Sequence, residues 1–293
     1  MNSPPVGSCR IGLGAAYGIG ERGVLRAFEH GVRFFLWGAL PTADFGAGLR
    51  QLAKRHRDEL KIAVQSYANR GWTIRSGVEL ARLRLRTDYL DFLCLANWST
   101  LPPPDVLEAA ARLRERGLVR HIMLSCHHRP TFRELRALPE PGLAAWMVRY
   151  NAAHRSAETE VFPLAKGPAR PALIAYTALR WGTLLDPRYA PAGEPPLTAV
   201  EAYRFVLSSP AVDVCLAGPR NDDELTAALT ALAEGPLDEA GLARARRVGD
   251  AAYAYGRAQP PSRLRDVIAE VPELARSLWR DGVTEHLLSR FNR

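Results

Sequence analysis

Short apolar runs rich in β-branched and aromatic residues alternate along the chain with amphipathic stretches of about 10 to 15 residues. We count eight such runs, and their nearly continuous hydrophobicity is typical of strands that are buried on both faces of a parallel sheet. The predicted strands cover residues 10–13, 32–37, 60–65, 90–95, 121–125, 146–150, 172–176 and 212–216. Because strands and helices alternate strictly, the pattern predicts an α/β fold, a closed (β/α)8 TIM barrel, rather than an open doubly wound sheet.

Capping patterns predict where several helices begin and end. In a capping box, the first side chain accepts a hydrogen bond from the backbone N–H three residues later. Three segments have this spacing: Asp105-x-x-Glu108, Thr131-x-x-Glu134 and Thr198-x-x-Glu201. Gly117 is expected to end a helix in the left-handed conformation, which glycine adopts without steric cost.

The helical pattern continues beyond the eighth strand. Residues 238–258 and 263–293 are predicted to form appended helices, separated by Gln259-Pro-Pro-Ser262. We therefore expect a barrel over residues 1–258 and a C-terminal helical extension over residues 259–293. A connection at residues 185–197 contains four prolines and lies between the seventh strand and its helix. Since barrel active sites lie at the carboxyl ends of the strands, this connection is expected to form a semi-rigid wall or lid.

Charge and composition narrow the class of protein. The chain carries 39 lysines and arginines against 31 acidic residues, a net charge of +8, and only three of the basic residues are lysines. The arginines are spread through amphipathic segments without interleaved aromatic residues, so we expect no nucleic-acid partner. No segment reaches the roughly 18 consecutive apolar residues of a membrane span, and the first residues lack a signal-peptide pattern. We therefore expect a soluble, cytoplasmic protein without a membrane partner.

The cysteines and a glycine-rich segment resemble a metal site and a dinucleotide-binding loop, but their spacing supports neither. The four cysteines lie far apart without a C-x-x-C pair, so free thiols are expected and no metal site is predicted. The glycine-rich segment from Gly12 to Gly20 follows a strand and precedes a helix, as a dinucleotide-binding loop does. Its third glycine comes one residue late for G-x-G-x-x-G, and no acidic residue ends the second strand. We interpret the segment as the tight first turn of a barrel.

Polar side chains follow several of the predicted strands, where a barrel builds its site. In Cys126-His127-His128, neighbouring residues of an extended segment point in opposite directions, so either His127 alone or its two neighbours face the cavity. An arginine at a strand end, such as Arg149, needs a carboxylate or phosphate partner from the protein or from a ligand. This residue therefore predicts a small-molecule substrate that is anionic.

The order of motifs resembles the aldo/keto reductase superfamily from about residue 12 to residue 233. The segments that carry the resemblance are Gly31-Val-Arg-Phe-Phe35, Asp88-Tyr-Leu-Asp91, Gly117-Leu-Val-Arg-His-Ile-Met-Leu-Ser125, Tyr150-Asn151, Ala175-Tyr176 and Gly218-Pro-Arg220. Each segment is weak alone, but their order is specific. The resemblance implies a (β/α)8 barrel that binds NAD(P)(H) across the carboxyl ends of its strands.

The catalytic residues of that family do not carry over. The family uses Asp, Tyr, Lys and His, with the tyrosine protonating the carbonyl oxygen as hydride arrives. The positions that match these four are Leu36, Phe45, Gln65 and Ala96. Phenylalanine has no proton to donate, and glutamine has no charge with which to lower a pKa. Any catalysis must therefore depend on other groups, for which we name His127, Tyr67, Gln65 and Arg149.

The cofactor contacts carry over in part. Tyr176 matches the aromatic residue that stacks on the nicotinamide ring, and Ser125 matches a serine that binds its carboxamide, whereas Met147 replaces a glutamine. Glu224 stands where a group binding a 2′-phosphate is common, which favours NAD(H) over NADP(H). Asn221 is expected to cap the following helix and to point its N–H groups at a phosphate. The cofactor-binding residues implied are Ser125, Cys126, Asn151, Tyr176, Thr177, Gly218, Arg220 and Asn221.

Three functions remain open from the sequence. The first is an NAD(P)(H)-linked oxidoreductase acting on a small carbonyl or alcohol substrate through a non-standard proton donor. The second is a non-redox lyase, isomerase or cyclase that uses the same cavity. The third is a catalytically silent barrel that binds a nucleotide or a partner. The substrate and the oligomeric state stay open.

Overall fold

Eight parallel strands close into a barrel in chain order, so that the first strand pairs with both the second and the eighth. The structure, a computed structural model, describes residues 5–38, 43–137, 142–167 and 169–258. The strands are Ile11–Gly14 (β1), Phe34–Trp37 (β2), Lys61–Ser66 (β3), Leu90–Trp98 (β4), Val119–Cys126 (β5), Ala145–Arg149 (β6), Ala172–Tyr176 (β7) and Val214–Ala217 (β8). The predicted barrel and all eight predicted strands are confirmed.

Helices surround the barrel and follow its strands. In the part of the chain that is described they are Glu21–Glu29 (α1), Ala43–His56 (α2), Gly71–Leu85 (α3), Pro104–Glu115 (α4), Thr131–Arg136 (α5), Ala157–Glu160 (α6), Ala199–Leu207 (α7), Asp222–Glu234 (α8) and Glu239–Ala258 (α9). None of the described helices is long and apolar enough to cross a membrane.

The barrel interior is filled at its amino-terminal end by large apolar side chains. The rings of Phe34 and Phe92 meet edge to face with centroids 5.8 Å apart. Gly12 of β1 leaves the space for this packing, because a Cβ there would lie 2.9 Å from both Phe34 and Val214. A second apolar layer, between the strands and the helices, contains Trp37 and Trp146 among many others. Because side chains fill the amino-terminal end of the barrel, we look for a site at the carboxyl ends of the strands.

One of the three predicted capping boxes is present. The Thr198 hydroxyl accepts from the Glu201 N–H at 3.1 Å, and the Glu201 carboxylate accepts from the Thr198 N–H at 2.7 Å. The other two predictions are wrong, because those side chains hold neighbouring elements instead. Asp105 accepts from the N–H of Gly71 at the start of α3, and Thr131 donates to the carbonyl of Ser99 in the loop after β4. Gly117 has the predicted left-handed backbone, with φ of +71°.

Helix α9 packs against the connection between β7 and α7, the proline-rich segment predicted to border the site. Arg244 and Arg247 of α9 form ion pairs with Glu201 and Glu194 at 2.5 and 3.0 Å. Gly249 lets the helix approach closely, since a Cβ there would lie 2.1 Å from the carbonyl oxygen of Ala152. The predicted C-terminal extension at residues 259–293 lies outside the described residues, so the division of the chain at residue 258 stays a prediction.

Candidate functional site

Strand alternation decides which side chains line the mouth of the barrel. Leu36 of β2, Ala96 of β4 and Met147 of β6 belong to the inner apolar cluster. Gln65, two residues beyond the inward-facing Ala63, and Ser125, two beyond Met123, follow the same alternation. The ends of β2 and β4 therefore contribute apolar groups to the mouth, with Gln65 between them on β3. We call the ends of β5 to β7, where Ser125 lies and β6 continues beyond Met147, the polar side of the mouth.

The positions that match the family's catalytic residues are apolar or displaced. Leu36 and Ala96 are almost completely buried in the inner cluster. Phe45 lies in α2, fully buried, with its ring 6.4 Å from that of Phe35 in the layer outside the barrel. The Phe45 ring therefore does not line the mouth, and its match to the family tyrosine stays a prediction. Gln65, half-buried at the end of β3, is the one polar side chain of this set.

Three of the predicted residues meet on the polar side. The Tyr176 hydroxyl lies 2.9 Å from Nδ1 of His127, and a terminal nitrogen of Arg149 lies 3.2 Å from the same atom. A guanidinium only donates hydrogen bonds, so Nδ1 of His127 must accept, and the proton of the neutral ring resides on Nε2. The Tyr176 and His127 rings stand edge to face at 86°. The sequence left two alternatives for this segment, and the arrangement agrees with the one in which His127 alone faces the cavity.

Burial and the arginine charge set the protonation of this group. Burial lowers the pKa of His127, and the neighbouring Arg149 lowers it further, so the imidazole is neutral at pH 7. Burial raises the pKa of Tyr176, while Arg149 and a hydrogen bond with Ser125 act in the opposite direction without outweighing it. The result is a pair of neutral hydrogen-bonding groups beside a fixed positive charge. Such a set can donate to an oxygen atom and stabilise negative charge that develops on it.

Sequence reasoning missed a second arginine on the same side. Arg180 lies in the turn after β7, where burial together with the neighbouring charge of Arg149 lowers the pKa of its guanidinium. The indole of Trp181 lies under Arg149, 5.7 Å from the guanidinium carbon. His154 is held neutral beside them, since burial and then Arg149 lower its pKa to about 4. Arg180 lies four residues after the end of β7, and nothing in the local sequence indicates that it returns to the mouth.

Other predicted site residues have structural contacts instead. Asn151 is fully buried, donates to the carbonyl of Thr177 at 2.8 Å and accepts from two backbone N–H groups. The Cys126 thiol lies in the layer outside the barrel, where burial raises its pKa. The Thr177 hydroxyl is buried without a hydrogen-bond partner among the described residues. Tyr67 follows β3 and is 57% exposed. Their contacts with a ligand remain predictions, and the outward thiol of Cys126 does not support one.

The loop between β8 and α8 holds the remaining predicted cofactor residues. Asn221 caps α8 by accepting from the Glu224 N–H at 2.9 Å, as the sequence predicts. The Glu224 carboxylate in turn accepts from the backbone N–H of Arg220 at 2.8 Å and pairs with its guanidinium at 2.8 Å. The ring of Tyr17 covers Gly218, where a Cβ would lie 2.2 Å from it. The donors of Arg220 are thus occupied by a carboxylate of the chain itself.

A cleft of about 720 Å³ opens beside this loop, between α1 and the start of α8. Four carboxylates line it, from Glu21, Asp44, Asp222 and Asp223, against two arginines that are both paired with carboxylates. The donor set therefore does not fit the 2′-phosphate of NADP(H). A ribose with a free 2′-hydroxyl fits, because it can donate to these carboxylates. Among the described residues, no group of three or more His, Cys, Asp or Glu side chains is arranged to hold a metal ion.

Comparison with known proteins agrees with this architecture. Two solved structures with the same fold are the holo and apo forms of the aldo-keto reductase AKR11C1 from Bacillus halodurans, with TM-scores of 0.68 and 0.64. The sequence identities are 18% and 19%, and each match covers 82% of this chain and 91% of that chain. A search of curated proteins finds no significant match.

A sequence model of the aldo/keto reductase family matches residues 45–197, which is more than half of the chain. The matched region extends from α2 to the last residue of the proline-rich connection, and so contains β3 to β7 and the polar side of the mouth. Members of this family generally use NAD(P)(H). The chain belongs to the aldo/keto reductase family.

Proposed function

We propose that this barrel is an NAD(H)-linked oxidoreductase that acts on a small anionic carbonyl or alcohol compound, with His127 and Tyr176 in place of the family's proton donor. The observation that carries the proposal is the Tyr176–His127–Arg149 contact at the carboxyl ends of β5, β6 and β7. It supplies a proton donor and a positive charge at the mouth, where Leu36 and Ala96 stand at two of the family's catalytic positions.

The roles of the three residues follow from their protonation. Nε2–H of neutral His127 donates to the carbonyl oxygen of the substrate, and the Arg149 charge stabilises the alkoxide that forms there. As the Nε2 proton passes to the alkoxide, Nδ1 takes the Tyr176 hydroxyl proton and the ring stays neutral. The tyrosinate left behind is stabilised by Arg149 until it takes the proton back from Nδ1 as solvent protonates Nε2, which restores the starting tautomer. A bound dinucleotide supplies the hydride. The arginine also selects a substrate that carries a negative group.

A second candidate is a non-redox enzyme, such as an isomerase or a lyase, which uses the same groups to protonate and deprotonate carbon next to a carbonyl. The pairing of Glu224 with Arg220 favours it, because the chain's own carboxylate holds donors that a bound phosphate would use. In this reaction Arg149 stabilises an enolate rather than an alkoxide.

Dinucleotide titration tests the two candidates. The purified protein is titrated with NADH, NADPH, NAD+ and NADP+, and energy transfer from tryptophan to nicotinamide is read together with the melting temperature. Saturable binding of NADH directs a screen of anionic carbonyl compounds with that cofactor. If none of the four binds, the oxidoreductase is ruled out. Turnover of such compounds by nucleotide-free protein then supports the second candidate.

Variants separate catalysis from binding. His127→Ala and Tyr176→Phe are expected to reduce kcat by about 10²-fold or more, the usual contribution of a positioned acid or base, with a smaller effect on dinucleotide affinity. His30→Ala, an exposed histidine at the end of α1, and Tyr89→Phe, before β4 at the opposite end of the barrel, are matched controls. Tyr67→Phe tests the alternative donor, and Gln65→Leu tests the remaining polar residue at a family position. Unchanged kcat in both His127→Ala and Tyr176→Phe would contradict the proposed roles.

A further inference from the structure

Arg149 lies over the ring of Trp181, the chain neighbour of Arg180, and neither arginine forms an ion pair with a described carboxylate. Several other described arginines have such a partner, for example Asp213 for Arg170 at 2.6 Å. Arg149 has only His127 and the Trp181 ring, and its buried Nε has no hydrogen-bond partner in the described chain. Arg180 donates to the carbonyl of Ala252 in α9.

A purely structural arginine in this protein looks different. Arg10 also lacks a carboxylate, but its guanidinium donates to the carbonyls of Leu207, Ser209 and Val212 at 2.6 to 2.9 Å. Its donors are therefore used by the fold. Two guanidiniums placed together with donors left over are unfavourable without an anion, because each charge raises the free energy of the other.

The turn that carries Arg180 is held in an unfavourable backbone conformation. Thr177, Arg180 and Trp181 have φ of +51°, +50° and +51°, in the left-handed region that non-glycine residues rarely adopt. Asn151 fixes this turn through its hydrogen bond to the Thr177 carbonyl, and α9 fixes it from the other side through Ala252. Strained segments that the surrounding structure imposes are concentrated at ligand sites. The turn places Arg180 next to Trp181, whose exposed ring lies beside Arg149.

We propose that Arg149 and Arg180 together bind an oxyanion group, a carboxylate or a phosphate, of a small molecule that lies against the Trp181 ring. The planar guanidinium has paired donors that match either group. The exposed indole, 62% accessible, provides a flat apolar surface for the part of the ligand next to the anion. The proposal rests on the proposed function, for which it specifies the anionic group of the substrate and the residue, Arg180, that holds it.

Binding of simple probes tests the site without any turnover. Phenyl phosphate, benzoate and the neutral analogue phenol are titrated into the full-length protein, with tryptophan fluorescence and melting temperature as readouts. We expect saturable binding of phenyl phosphate, benzoate or both, and none of phenol. Trp181→Phe should remove the fluorescence change, which identifies the responding indole among the six tryptophans. The stronger of the two anions identifies the substrate's charged group as phosphate or carboxylate.

Arginine variants locate the binding. Arg180→Gln and Arg149→Gln should each lower the affinity for the probe by about tenfold or more, the usual effect of losing a charge-assisted hydrogen bond. Arg188→Gln is the matched control, because this exposed arginine lies in the same connection but is paired with Asp186. Circular dichroism checks the fold of each variant. Should Arg149→Gln fail to fold, Arg180→Gln and Arg180→Lys decide, since their side chain lies on a turn.

The outcomes distinguish this proposal from the proposed function. Probe binding that depends on Arg180, with no dinucleotide binding and no turnover, supports the anion site and contradicts the oxidoreductase. No saturable probe binding, equal binding of phenol, or an equal loss in Arg188→Gln overturns the anion site. His127→Ala should keep probe binding while it loses turnover, which separates the anion-binding group from the proton donor.

Discussion

Glu224 is expected to exclude NADP(H), and replacing it should reverse that preference. Its carboxylate accepts from the backbone N–H and from Nε of Arg220, at 2.8 and 2.9 Å, and so occupies the donors that a 2′-phosphate in this segment requires. Burial alone would raise the pKa of Glu224, but the bonds from Arg220 outweigh it and lower the pKa, so the group is ionised at neutral pH. The perturbation is Glu224→Gln, which removes the charge and keeps an acceptor for the N–H.

The magnitude follows from the charges and their exposure. Two unit charges about 4 Å apart interact by about 1 kcal/mol in water, and a 2′-phosphate carries between one and two negative charges at pH 7. The Arg220 and Glu224 side chains are 72% and 29% exposed, so a low-dielectric estimate does not apply. A penalty of about 1 to 2 kcal/mol corresponds to an affinity for NADPH about 5- to 30-fold below that for NADH. In Glu224→Gln, NADPH should gain most of this factor, while NADH should change little.

The assay is the same energy-transfer titration, carried out at two salt concentrations because the repulsion is screened. Asp223→Asn is the matched control, since it removes one charge from the same helical turn without releasing Arg220. The reasoning is refuted if the wild-type protein binds NADPH as tightly as NADH, or if Asp223→Asn raises NADPH affinity as much as Glu224→Gln does.

Three further predictions concern the stability of the barrel. Asp91, buried at the start of β4, accepts from the Ile62 N–H and pairs with Arg57, so Asp91→Asn should lower the free energy of unfolding by about 2 to 4 kcal/mol in urea titrations, whereas the exposed Asp88→Asn should have little effect. Gly249→Ala should displace α9 and destabilise by about 1 to 3 kcal/mol, while Gly77→Ala in α3, where a Cβ meets nothing within 4 Å, should stabilise by about 0.5 to 1 kcal/mol. The folded-state pKa of His154, about 4, lies below its ordinary value of 6.5. Its contribution to the free energy of unfolding is therefore complete above pH 6.5 and is lost as the pH falls towards 4. After solvent screening we expect a loss of about 1 to 2 kcal/mol, which should be absent in His154→Gln.

The barrel could be predicted from the sequence because its signal is distributed over the whole chain. Eight buried strands have to be hydrophobic on both faces, so one misplaced boundary does not change the count. The observed strand boundaries differ from the predicted ones where tertiary contacts determine them. Strand β4 extends to Trp98 through an irregular register after Leu95, and nothing local indicates that extension.

The capping predictions show the limit of local patterns. Asp105 has the spacing of a capping box, but its carboxylate accepts from the N–H of Gly71, 34 residues earlier, and the N-cap position of its own helix is taken by Pro103. Thr198 and Glu201 form the box although Arg244 also binds Glu201, because Arg244 uses Oε1 and leaves Oε2 to the Thr198 N–H. A short-range pattern therefore predicts a cap only where no distant group takes the capping oxygen.

The candidate site was predicted in part. Alternation along β5 predicted that His127 and Cys126 point in opposite directions, and the position of Arg149 at a strand end predicted an anionic partner from the protein or from a ligand. The sequence could not show that Tyr176 contacts His127, since the two residues are 49 positions apart. Arg180 was missed because its position depends on a left-handed backbone at non-glycine residues, which no sequence pattern indicates.

Charged side chains at the carboxyl ends of the strands form two separate sets, which should affect how a ligand approaches the barrel. Arg149 and Arg180 lie at β6 and β7, whereas the four carboxylates of the cleft lie beside the β1 and β8 loops. The electric field across the barrel end therefore orients a dipolar or singly charged molecule before contact, with its anionic end towards β6. Association rather than dissociation should then slow as salt is added. A molecule that arrives reversed meets the acidic loops first, so selection among ligands begins during the diffusional approach.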